Sequence, residues 1–588
     1  MGRAPSAPRR SRRPQGAGVP SRGPRDEDPL GRYTPAVAQL IALLLSATAV
    51  SPLGAVASAH PLASEAGAAV LREGGHAVDA AIAAAFVLAV VEPESSGLGG
   101  GGFALLYRAQ DGRTVAVDFR EVAPAAARPD MFAGPLSEGR RRPSLEGGTA
   151  VAVPGAVRGY AELARRFGTW PLSRLVEPAV RLAERGFSVG EHYVRAARER
   201  RACLAARPAA AAAFLVPGKE GAPFVPSPGT RQKNPALART LRLLGRDPDA
   251  FYRGPLAESI ARAAQDEGGL LSAADLAAYR VKDLTPLRGL YRGYGIVSVP
   301  LPSAGGAIVV GLLQALEHDD PRAGGYRPVP FLHAMVEIEK ELFARRALLG
   351  DPDFVPGAER EVKWMTSPEG AAAMRAAVGP RARAIEGPPP PPESSETSHL
   401  SVIDGAGNAV AHTTSVNAHF GACVVVPGAG FVLNDTMDDF DSAPGVPNGF
   451  GAVGSGVNTP APGKAPLSSM APTLVFDPGG RLLLAVGASG GTRIPTAVAQ
   501  VISHIVDDGM SLSQAVSAPR LHHQWRPDVV QVDPGGLEAE TARALEALGH
   551  VLTFRARPGA VSQAVRVTEE GWREAASDAS GPGAPAAP

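Results

Sequence analysis

Thr397 is the residue of this sequence that is best placed for covalent chemistry. It lies in the stretch Glu396-Thr397-Ser398-His399, shortly after a run of five prolines at 388–392 and at the start of a predicted β-strand. A threonine hydroxyl is a poor nucleophile unless a base lies beside it. If the chain were cut before Thr397, the new α-amine, with a pKa of about 8, would be that base. An exposed linker followed by a strand-initial threonine is what such self-cleavage requires, although an ordinary strand could begin in the same way.

Five other stretches carry weaker chemical signals. The four glycines 99–102 lack the Lys-Ser/Thr of a phosphate-binding loop and precede a strand, so we interpret them as sites of close backbone packing. His522 and His523 are adjacent and would point to opposite faces of a strand, which favours a structural role over metal binding. The stretch 489–492 follows a predicted strand and could present amide donors. Taken alone, the pairs at 120–121 and 438–439 fit an ordinary ion pair and a solvated turn.

Hydrophobic patterning divides the chain into a mainly helical first part and a strand-rich second part, with the proline run between them. Residues Val78 to Val91 are apolar nearly all round, which predicts a helix buried inside the protein. Ser64 is the predicted N-cap of a shorter helix that ends near Gly74 and Gly75. Three pairs of strands are predicted around turn residues, at 103–107 with 114–119, 399–403 with 409–415, and 473–476 with 482–486.

The composition excludes several classes of protein. The length of 588 residues predicts three or four domain-sized units, or fewer large ones. Lys and Arg number 59 and Asp and Glu 58, so the chain lacks the strongly basic footprint of a nucleic-acid-binding domain. The two cysteines, Cys203 and Cys423, lie far apart without a Cys-x-x-Cys motif, which argues against zinc-finger, iron–sulfur and disulfide-rich scaffolds. A single disulfide between them is possible, and the sequence alone leaves it open.

The N-terminal segment has the features of a secretory signal. Residues 1–35 are rich in Pro, Gly and Arg and lack the apolar residues of a core, so we expect them to be disordered. The apolar run Ala36 to Val50 follows this basic flank and is shorter than the ~20 residues that span a bilayer. Small residues allow cleavage after Ala49 or after Ala59, and the alternative is a tethering helix that stays attached. We therefore expect a periplasmic or secreted protein.

Ten short stretches, in one order along the chain, carry a resemblance to a known family. They are HPLASEAG at 60–67, AVDAA at 77–81, VEP at 91–93, SSGLGGGGF at 95–103, REVAPA at 120–125, GDPDFV at 350–355, TSH at 397–399, MDDF at 437–440, PLSSM at 466–470 and RLHHQW at 520–525. With them, the chain resembles the γ-glutamyltranspeptidases (glutathione hydrolases), which are N-terminal-nucleophile hydrolases. The resemblance runs from about Gly54 to about residue 560.

The resemblance implies an α+β fold, a four-layer αββα sandwich of the N-terminal-nucleophile hydrolase type, made as one precursor. Cleavage at Glu396–Thr397 would leave a large subunit of residues 50–396, mainly helical and ending in the Pro-rich linker. The strand-rich small catalytic subunit, 397–588, would stay bound to it. The leader and signal peptide would occupy 1–49, because Gly54–His60 resembles the family's first strand and so favours the cut after Ala49 over the cut after Ala59. We expect a disordered tail from about residue 576, and neither a cofactor nor a metal.

The implied activity moves the γ-glutamyl group of glutathione and related compounds onto Thr397 and then to water, an amino acid or a peptide. The nucleophile, two hydroxyls that steady it and two amides of an oxyanion hole form the implied catalytic set: Thr397, Thr413, Ser415, Gly490 and Gly491. The implied substrate-binding set holds the donor's α-carboxylate with Arg120, Ser468 and Ser469, and its α-ammonium with Asn417, Asp439 and, at a variable position, Thr436.

Two positions depart from the family pattern near the substrate. Thr436 stands where relatives usually carry Gln or Glu, so we expect weaker discrimination against donors without an α-ammonium. Phe450, in a full-length lid segment at 444–464, stands where lid-bearing relatives have a Tyr whose hydroxyl latches the lid. Thr436 keeps an alternative open, an acylase of the same fold that prefers glutaryl or other des-amino acyl groups. A third hypothesis, a catalytically silent binding protein, is opposed by the intact Thr397 and Arg120.

Overall fold

The computed structural model describes residues 48–133, 142–218, 222–323, 325–386 and 397–588. The proline run, Glu396 and nearly all of the predicted leader lie outside these residues. Within the described ranges, no helix combines the length and the apolar character needed to cross a membrane.

Two seven-stranded antiparallel sheets form the centre of the molecule. In chain order, the strands are β1 (Thr48–Ser51), β2 (Gly54–Ser58), β3 (Gly101–Arg108), β4 (Arg113–Asp118), β5 (Phe187–Ser188), β6 (Arg231–Gln232), β7 (Lys282–Leu284), β8 (Leu287–Tyr291), β9 (Tyr294–Ser298), β10 (Ser398–Asp404), β11 (Ala409–Ser415), β12 (Thr473–Phe476), β13 (Leu482–Ser489), β14 (Leu521–His522), β15 (Val530–Val532), β16 (Leu552–Phe554), β17 (Val561–Val567), β18 (Arg573–Ser577) and β19 (Ala584–Ala586). Sheet A has the order β19-β2-β10-β11-β3-β4-β7, and sheet B the order β1-β18-β17-β13-β12-β9-β8. Each sheet therefore contains strands from both sides of residue 397.

Most of the helices lie before residue 397. In chain order they are α1 (Pro61–Arg72), α2 (Ala77–Val91), α3 (Ala156–Phe167), α4 (Leu172–Leu175), α5 (Glu177–Arg185), α6 (Glu191–Glu199), α7 (Arg201–Ala205), α8 (Pro208–Phe214), α9 (Pro235–Arg246), α10 (Pro255–Gln265), α11 (Ala273–Ala278), α12 (Gly305–Ala315), α13 (Val329–Arg346), α14 (Ala358–Met365), α15 (Pro368–Ala376), α16 (Ile494–Val506), α17 (Leu512–Ser517) and α18 (Ala539–Ala547). This distribution agrees with the helical first part and strand-rich second part predicted from the sequence.

Helices cover the outer face of each sheet, and the two sheets pack against each other. Helices α1 and α2 contact sheet A, whereas α12, α16 and α17 contact sheet B. Strands β10 and β11 contact β13 and β17 across the interface between the sheets. Every residue of α2 is buried, as its all-round apolar pattern predicts. The predicted four-layer αββα arrangement is confirmed.

The three predicted strand pairs are present, and one predicted helix start is wrong. Strand pairs β3–β4, β10–β11 and β12–β13 are antiparallel neighbours. Helix α1 begins at Pro61 with His60 as its N-cap, rather than at Ser64. Proline is favoured in the first turn because the backbone N–H that it lacks has no partner there. The Ser64 hydroxyl instead shares a 2.7 Å hydrogen bond with Ser58.

The prediction of a disordered tail from about residue 576 is wrong. Strand β18 lies between β1 and β17, and β19 pairs with β2 at the edge of sheet A. The tail is poor in large apolar side chains, but its strands are held by backbone hydrogen bonds to a neighbouring strand edge. Pro585 is tolerated in β19 because an edge strand leaves one side of its backbone unpaired.

A disulfide joins the two parts of the chain. Cys203 in α7 and Cys423 after β11 are bonded, with their Cα atoms 6.1 Å apart. The sequence left this pairing open because 220 positions separate the two cysteines. Cleavage before residue 397 would therefore leave two fragments that remain covalently linked until the disulfide is reduced.

Candidate active site

Most of the predicted site residues lie in a cleft at the point where β10 begins and β11 ends. The empty space in the cleft is about 370 Å³, including space that is open to solvent. The predicted residues that line it are Arg120, Thr397, Ser415, Asn417, Asp439, Ser468, Ser469 and Gly491. Thr413, Thr436 and Gly490 are predicted site residues that lie beside the cleft without lining it.

Thr397 is fixed by the strand that follows it. Strand β10 is paired on both sides, with β2 and with β11, and Ser398 lies opposite Thr414. Thr397 therefore comes next to Ser415 at the end of β11, and both residues line the cleft. A Cβ atom on Gly100 would lie 2.0 Å from the Ser415 carbonyl oxygen. The interpretation of glycines 99–102 as sites of close backbone packing is thus confirmed at the strand end beside Thr397.

Thr413 contacts a histidine that the sequence reasoning did not assign. His399 Nδ1 and Thr413 Oγ1 are 2.9 Å apart, and His399 Nε2 lies 3.0 Å from Ser401 Oγ. Burial lowers the pKa of His399 well below its usual value, so the ring is neutral. Gly487 in sheet B makes room for this ring, since a Cβ there would lie 2.2 Å from it. The signal in the sequence was the histidine of the Thr-Ser-His stretch itself.

The glycine loop at 490–491 connects β13 to α16. Gly490 has φ of 134° and Gly491 has φ of 60°, backbone conformations that side chains rarely adopt. Gly491 also lies against the ring of Phe450, which a Cβ on Gly491 would approach to 2.7 Å. Glycine is therefore required at both positions, and the loop brings the Gly491 backbone to the cleft that contains Thr397.

Arg120 is held among acidic groups at the far side of the cleft. Its Nη2 donates to Asp439 Oδ2, and its Nη1 lies 3.4 Å from Glu121 Oε2. Asp118 at the end of β4 accepts from the Arg120 backbone N–H at 2.7 Å, which fixes the start of this segment. Burial raises the pKa values of Glu121 and Asp439, and the Arg120 charge opposes both shifts. Arg120 is therefore positioned by contacts that already compensate its charge.

Thr436 makes its hydrogen bond away from the cleft. Its Oγ1 donates to Glu121 Oε1 at 2.9 Å, and the residue is fully buried. The structure therefore places the Thr436 hydroxyl on a neighbouring carboxylate rather than on the surface that a substrate would touch. Asn417, in contrast, lines the cleft with a φ of 83°, and its side-chain amide donates to the Asp435 carbonyl at 3.1 Å.

Arg346 lines the cleft as well, and the sequence reasoning missed it. It is the last residue of α13, is 9% exposed, and its Nε donates to Ser469 Oγ at 3.2 Å. Burial lowers the pKa of its guanidinium, and nearby Asp439 and Asp441 oppose that shift. Its position four residues before the GDPDFV stretch at 350–355 was the only signal in the sequence that it could belong to the site. An arginine near the end of a helix is otherwise common and indicates no function.

The predicted lid segment covers one side of the cleft. An isolated antiparallel bridge joins Pro447 and Val453, and Phe450 between them is 7% exposed. The carbonyl oxygen of Phe450 accepts a hydrogen bond of 3.4 Å from the Gln524 side chain, which also accepts from Thr492 Oγ1 at 2.6 Å. The lid is thus joined through its backbone to Gln524, and through Gln524 to Thr492 beside the glycine loop. This contact does not use the hydroxyl that a Tyr at position 450 would supply.

One group of described residues has the composition of a metal site. His333, Glu337 and His550 are buried with ligand atoms within 4.8 Å of one another. The Lys340 ammonium lies 3.0 Å from Glu337, so this carboxylate is already paired with a positive charge. The same ammonium would repel a metal ion bound there. His333 and His550 share a hydrogen bond of 2.8 Å. We interpret the group as a buried hydrogen-bonded network outside the cleft.

The family model for "Gamma-glutamyltranspeptidase" matches residues 63–587 of this sequence. The chain belongs to the γ-glutamyltranspeptidase family. The match covers the Thr397 stretch, the glycine loop and every residue placed in the cleft. The recognition from ten short stretches is confirmed.

Curated relatives include members with two different names. A glutathione hydrolase proenzyme of Escherichia coli (strain K12) is 39% identical over 534 residues, covering 89% of this chain and 90% of that protein. An acylase ACY 1 proenzyme of Pseudomonas sp. (strain V22) is 37% identical over 529 residues, covering 88% of this chain and 90% of that protein. The γ-glutamyltranspeptidase family thus contains both glutathione hydrolases and acylases among the relatives of this chain.

A solved structure supports the same fold. The cephalosporin acylase from Bacillus halodurans superposes with a TM-score of 0.80 and 27% identity, covering 92% of this chain and 97% of that one. The predicted N-terminal-nucleophile hydrolase fold is confirmed, and the chain is an enzyme of the γ-glutamyl hydrolase and transferase class.

Proposed function

We propose that this enzyme takes the γ-glutamyl group of glutathione and related compounds onto the Thr397 hydroxyl and passes it to water, an amino acid or a peptide. The observation that carries the proposal is a single cleft with three parts: a strand-initial threonine, a positive-φ glycine loop and an arginine–aspartate pair. These parts supply a nucleophile, amide donors for an oxyanion, and one positive and one negative side chain that can bind the α-carboxylate and the α-ammonium of the donor.

Formation of the nucleophile requires cleavage of the precursor. The Thr397 hydroxyl attacks the carbonyl carbon of Glu396, the peptide C–N bond breaks, and the resulting ester is hydrolysed by water. The freed α-amine of Thr397 then lies within the same residue as the hydroxyl and acts as its general base. Thr397 is buried, with 7% of its surface exposed.

Acyl transfer then follows in two steps. The α-amine removes the hydroxyl proton while Oγ1 attacks the γ-carbonyl carbon, and amides of the 490–491 loop stabilise the oxyanion of the tetrahedral intermediate. The C–N bond of the donor breaks as its nitrogen receives the proton, which leaves a γ-glutamyl ester on Thr397. Water or an acceptor amine attacks this ester and releases the product. Thr413 and Ser415 steady the nucleophile, with neutral His399 orienting Thr413.

Charged groups of the cleft position the donor. A guanidinium matches a carboxylate through two parallel hydrogen bonds, so Arg120, together with Ser468 and Ser469, receives the α-carboxylate. Asp439 and Asn417 receive the α-ammonium. Asp439 and Arg120 are bound to each other. The α-carboxylate of a γ-glutamyl donor would therefore bind to Arg120 and its α-ammonium to Asp439 of the same ion pair.

A second candidate function is acylase activity on glutaryl and similar des-amino acyl groups. The observation that favours it is the Thr436 hydroxyl, which is bound to Glu121 and leaves the ammonium with one acceptor fewer. The relatives named acylase and cephalosporin acylase give the same alternative. We nevertheless expect γ-glutamyl donors to be preferred, because Asp439 and Asn417 line the cleft.

The donor preference tests both candidates in one experiment. We expect the purified, cleaved enzyme to hydrolyse γ-glutamyl and glutaryl anilides with the γ-glutamyl donor preferred. Thr436→Gln restores an acceptor and should raise the ratio of the two kcat/KM values by about 10- to 150-fold, the worth of a hydrogen bond to a charged group. The control is Thr436→Val, which removes the contact with Glu121 and adds no acceptor. An unchanged ratio in Thr436→Gln would leave the acylase candidate without support from this position.

Export is a further part of the proposal. We propose cleavage of a signal peptide after Ala49, with the mature enzyme periplasmic or secreted. A cut after Ala49 would remove the first two residues of the edge strand β1, so the predicted leader 1–49 is not wholly irregular. A cut after Ala59 would remove all of β1 and also β2, a fully buried strand between β10 and β19. N-terminal sequencing of the mature large fragment should begin at Val50. A soluble cytoplasmic protein that starts at Met1 would contradict export.

A further inference from the structure

Two arginines line the cleft, and only one of them is compensated by carboxylates. Arg120 contacts both Asp439 and Glu121. Arg346 has no carboxylate at ion-pair distance among the residues that the structure describes, and its single hydrogen bond there is from Nε to Ser469. Of the two described arginines of the cleft, Arg346 is therefore the one without a carboxylate partner.

The nearest acidic groups are already occupied by other partners. Asp439 accepts from Arg120, and one oxygen of Asp441 accepts backbone N–H groups of the lid, at 2.9 Å from Gly456 and 3.3 Å from Asn458. They act on Arg346 only through their charge. An uncompensated guanidinium that is nine-tenths buried is costly, and an anionic ligand would remove that cost.

The charge balance of the cleft distinguishes two kinds of acyl donor. Among the described residues that line the cleft, Arg120 and Arg346 are cationic, and Asp439 is the one acidic side chain. The cleft is thus left with an excess of one positive charge. A γ-glutamyl end brings a carboxylate and an ammonium, which cancel, whereas a glutaryl end brings a carboxylate alone and neutralises the excess.

We infer that Arg346 broadens donor specificity: with Ser469, it binds the terminal carboxylate of acyl groups that lack an α-ammonium, so that such donors are accepted beside the preferred γ-glutamyl donors. Arg120 stays paired with Asp439 when such a donor binds, because no ammonium competes for Asp439. The ligand class is a monoamide of a short dicarboxylic acid, with glutaryl amides as the representative. The inference rests on the proposed function, since it concerns the acyl site of that reaction.

The test compares Arg346→Gln with a matched control on the same helix. Arg345 lies one residue earlier, and its guanidinium is bound to Glu341 and Glu361. In Arg346→Gln, kcat/KM for a glutaryl anilide should fall by about 10- to 150-fold, mainly through KM, because a charge-assisted contact is lost. The γ-glutamyl anilide should change far less, and Arg346→Lys should recover part of the glutaryl activity. Arg345→Gln should leave both donors unchanged.

A binding measurement separates this inference from the proposed function. Calorimetric titration with glutarate should give clear binding to the cleaved wild-type enzyme and to Arg345→Gln, and a similar 10- to 150-fold loss of affinity in Arg346→Gln. If the wild type hydrolyses neither anilide, the proposed function fails, while the glutarate affinities still decide the role of Arg346. Equal glutarate affinity in wild type and Arg346→Gln, no glutarate binding at all, or equal losses for both anilides would overturn the inference.

Discussion

Thr397→Ala should remain a single chain and lose acyl-transfer activity by at least about 10⁴-fold, because both reactions need the same hydroxyl. Mass spectrometry after reduction should find the wild type as two fragments, the smaller one comprising the last 192 residues from Thr397 to Pro588. Reduction is required since the disulfide between Cys203 and Cys423 joins the two fragments. The variant should show one mass under the same conditions.

Thr397→Ser is the matched control for this experiment. Serine keeps the hydroxyl and the α-amine and removes only a methyl group, so the chain should still be cleaved and retain activity. If Thr397→Ala splits at the same bond, a separate protease makes the cut. If it stays intact but hydrolyses the anilide normally, Thr397 is not the nucleophile.

Arg120→Lys should raise KM for γ-glutamyl donors by about 10- to 150-fold, the range expected for a lost charge-assisted contact, while precursor cleavage continues. Lysine supplies a point charge and cannot bind a carboxylate through a planar fork. It also cannot reproduce the simultaneous contacts of Arg120 with Asp439, Glu121 and the Pro466 carbonyl oxygen.

The control for Arg120→Lys is the same substitution at Arg108, an exposed residue paired with Asp111 in the β3–β4 hairpin. Surface pairs contribute little to stability, so Arg108→Lys should leave KM and cleavage unchanged. Initial rates over a range of γ-glutamyl anilide concentrations and gel analysis of cleavage provide both readouts. An equal loss of cleavage and of substrate affinity in Arg120→Lys would mean that Arg120 is needed for folding rather than for the substrate.

The sequence by itself determined the features that depend on near neighbours in the chain. The all-round apolar pattern of 78–91 predicted a buried helix, and turn residues between alternating segments predicted the strand pairs β3–β4 and β10–β11. The stretch around Thr397 identified the nucleophile candidate because hydroxyl, strand start and linker are adjacent in sequence. Short stretches in a fixed order were enough to recognise the family.

The tertiary structure decided the features that depend on residues far apart in the chain. The tail forms strands because β1, β2 and β17 provide backbone partners, and the tail's own composition carries no sign of them. Thr436 is bound to Glu121, 315 positions away, so its identity alone did not reveal where its hydroxyl points. Arg120 and Arg346 look alike in sequence, yet packing gives one of them carboxylate partners and leaves the other with a serine. Electrostatic balance is a sum over groups that only folding brings together, which is why the charge of the cleft could not be obtained from the chain order.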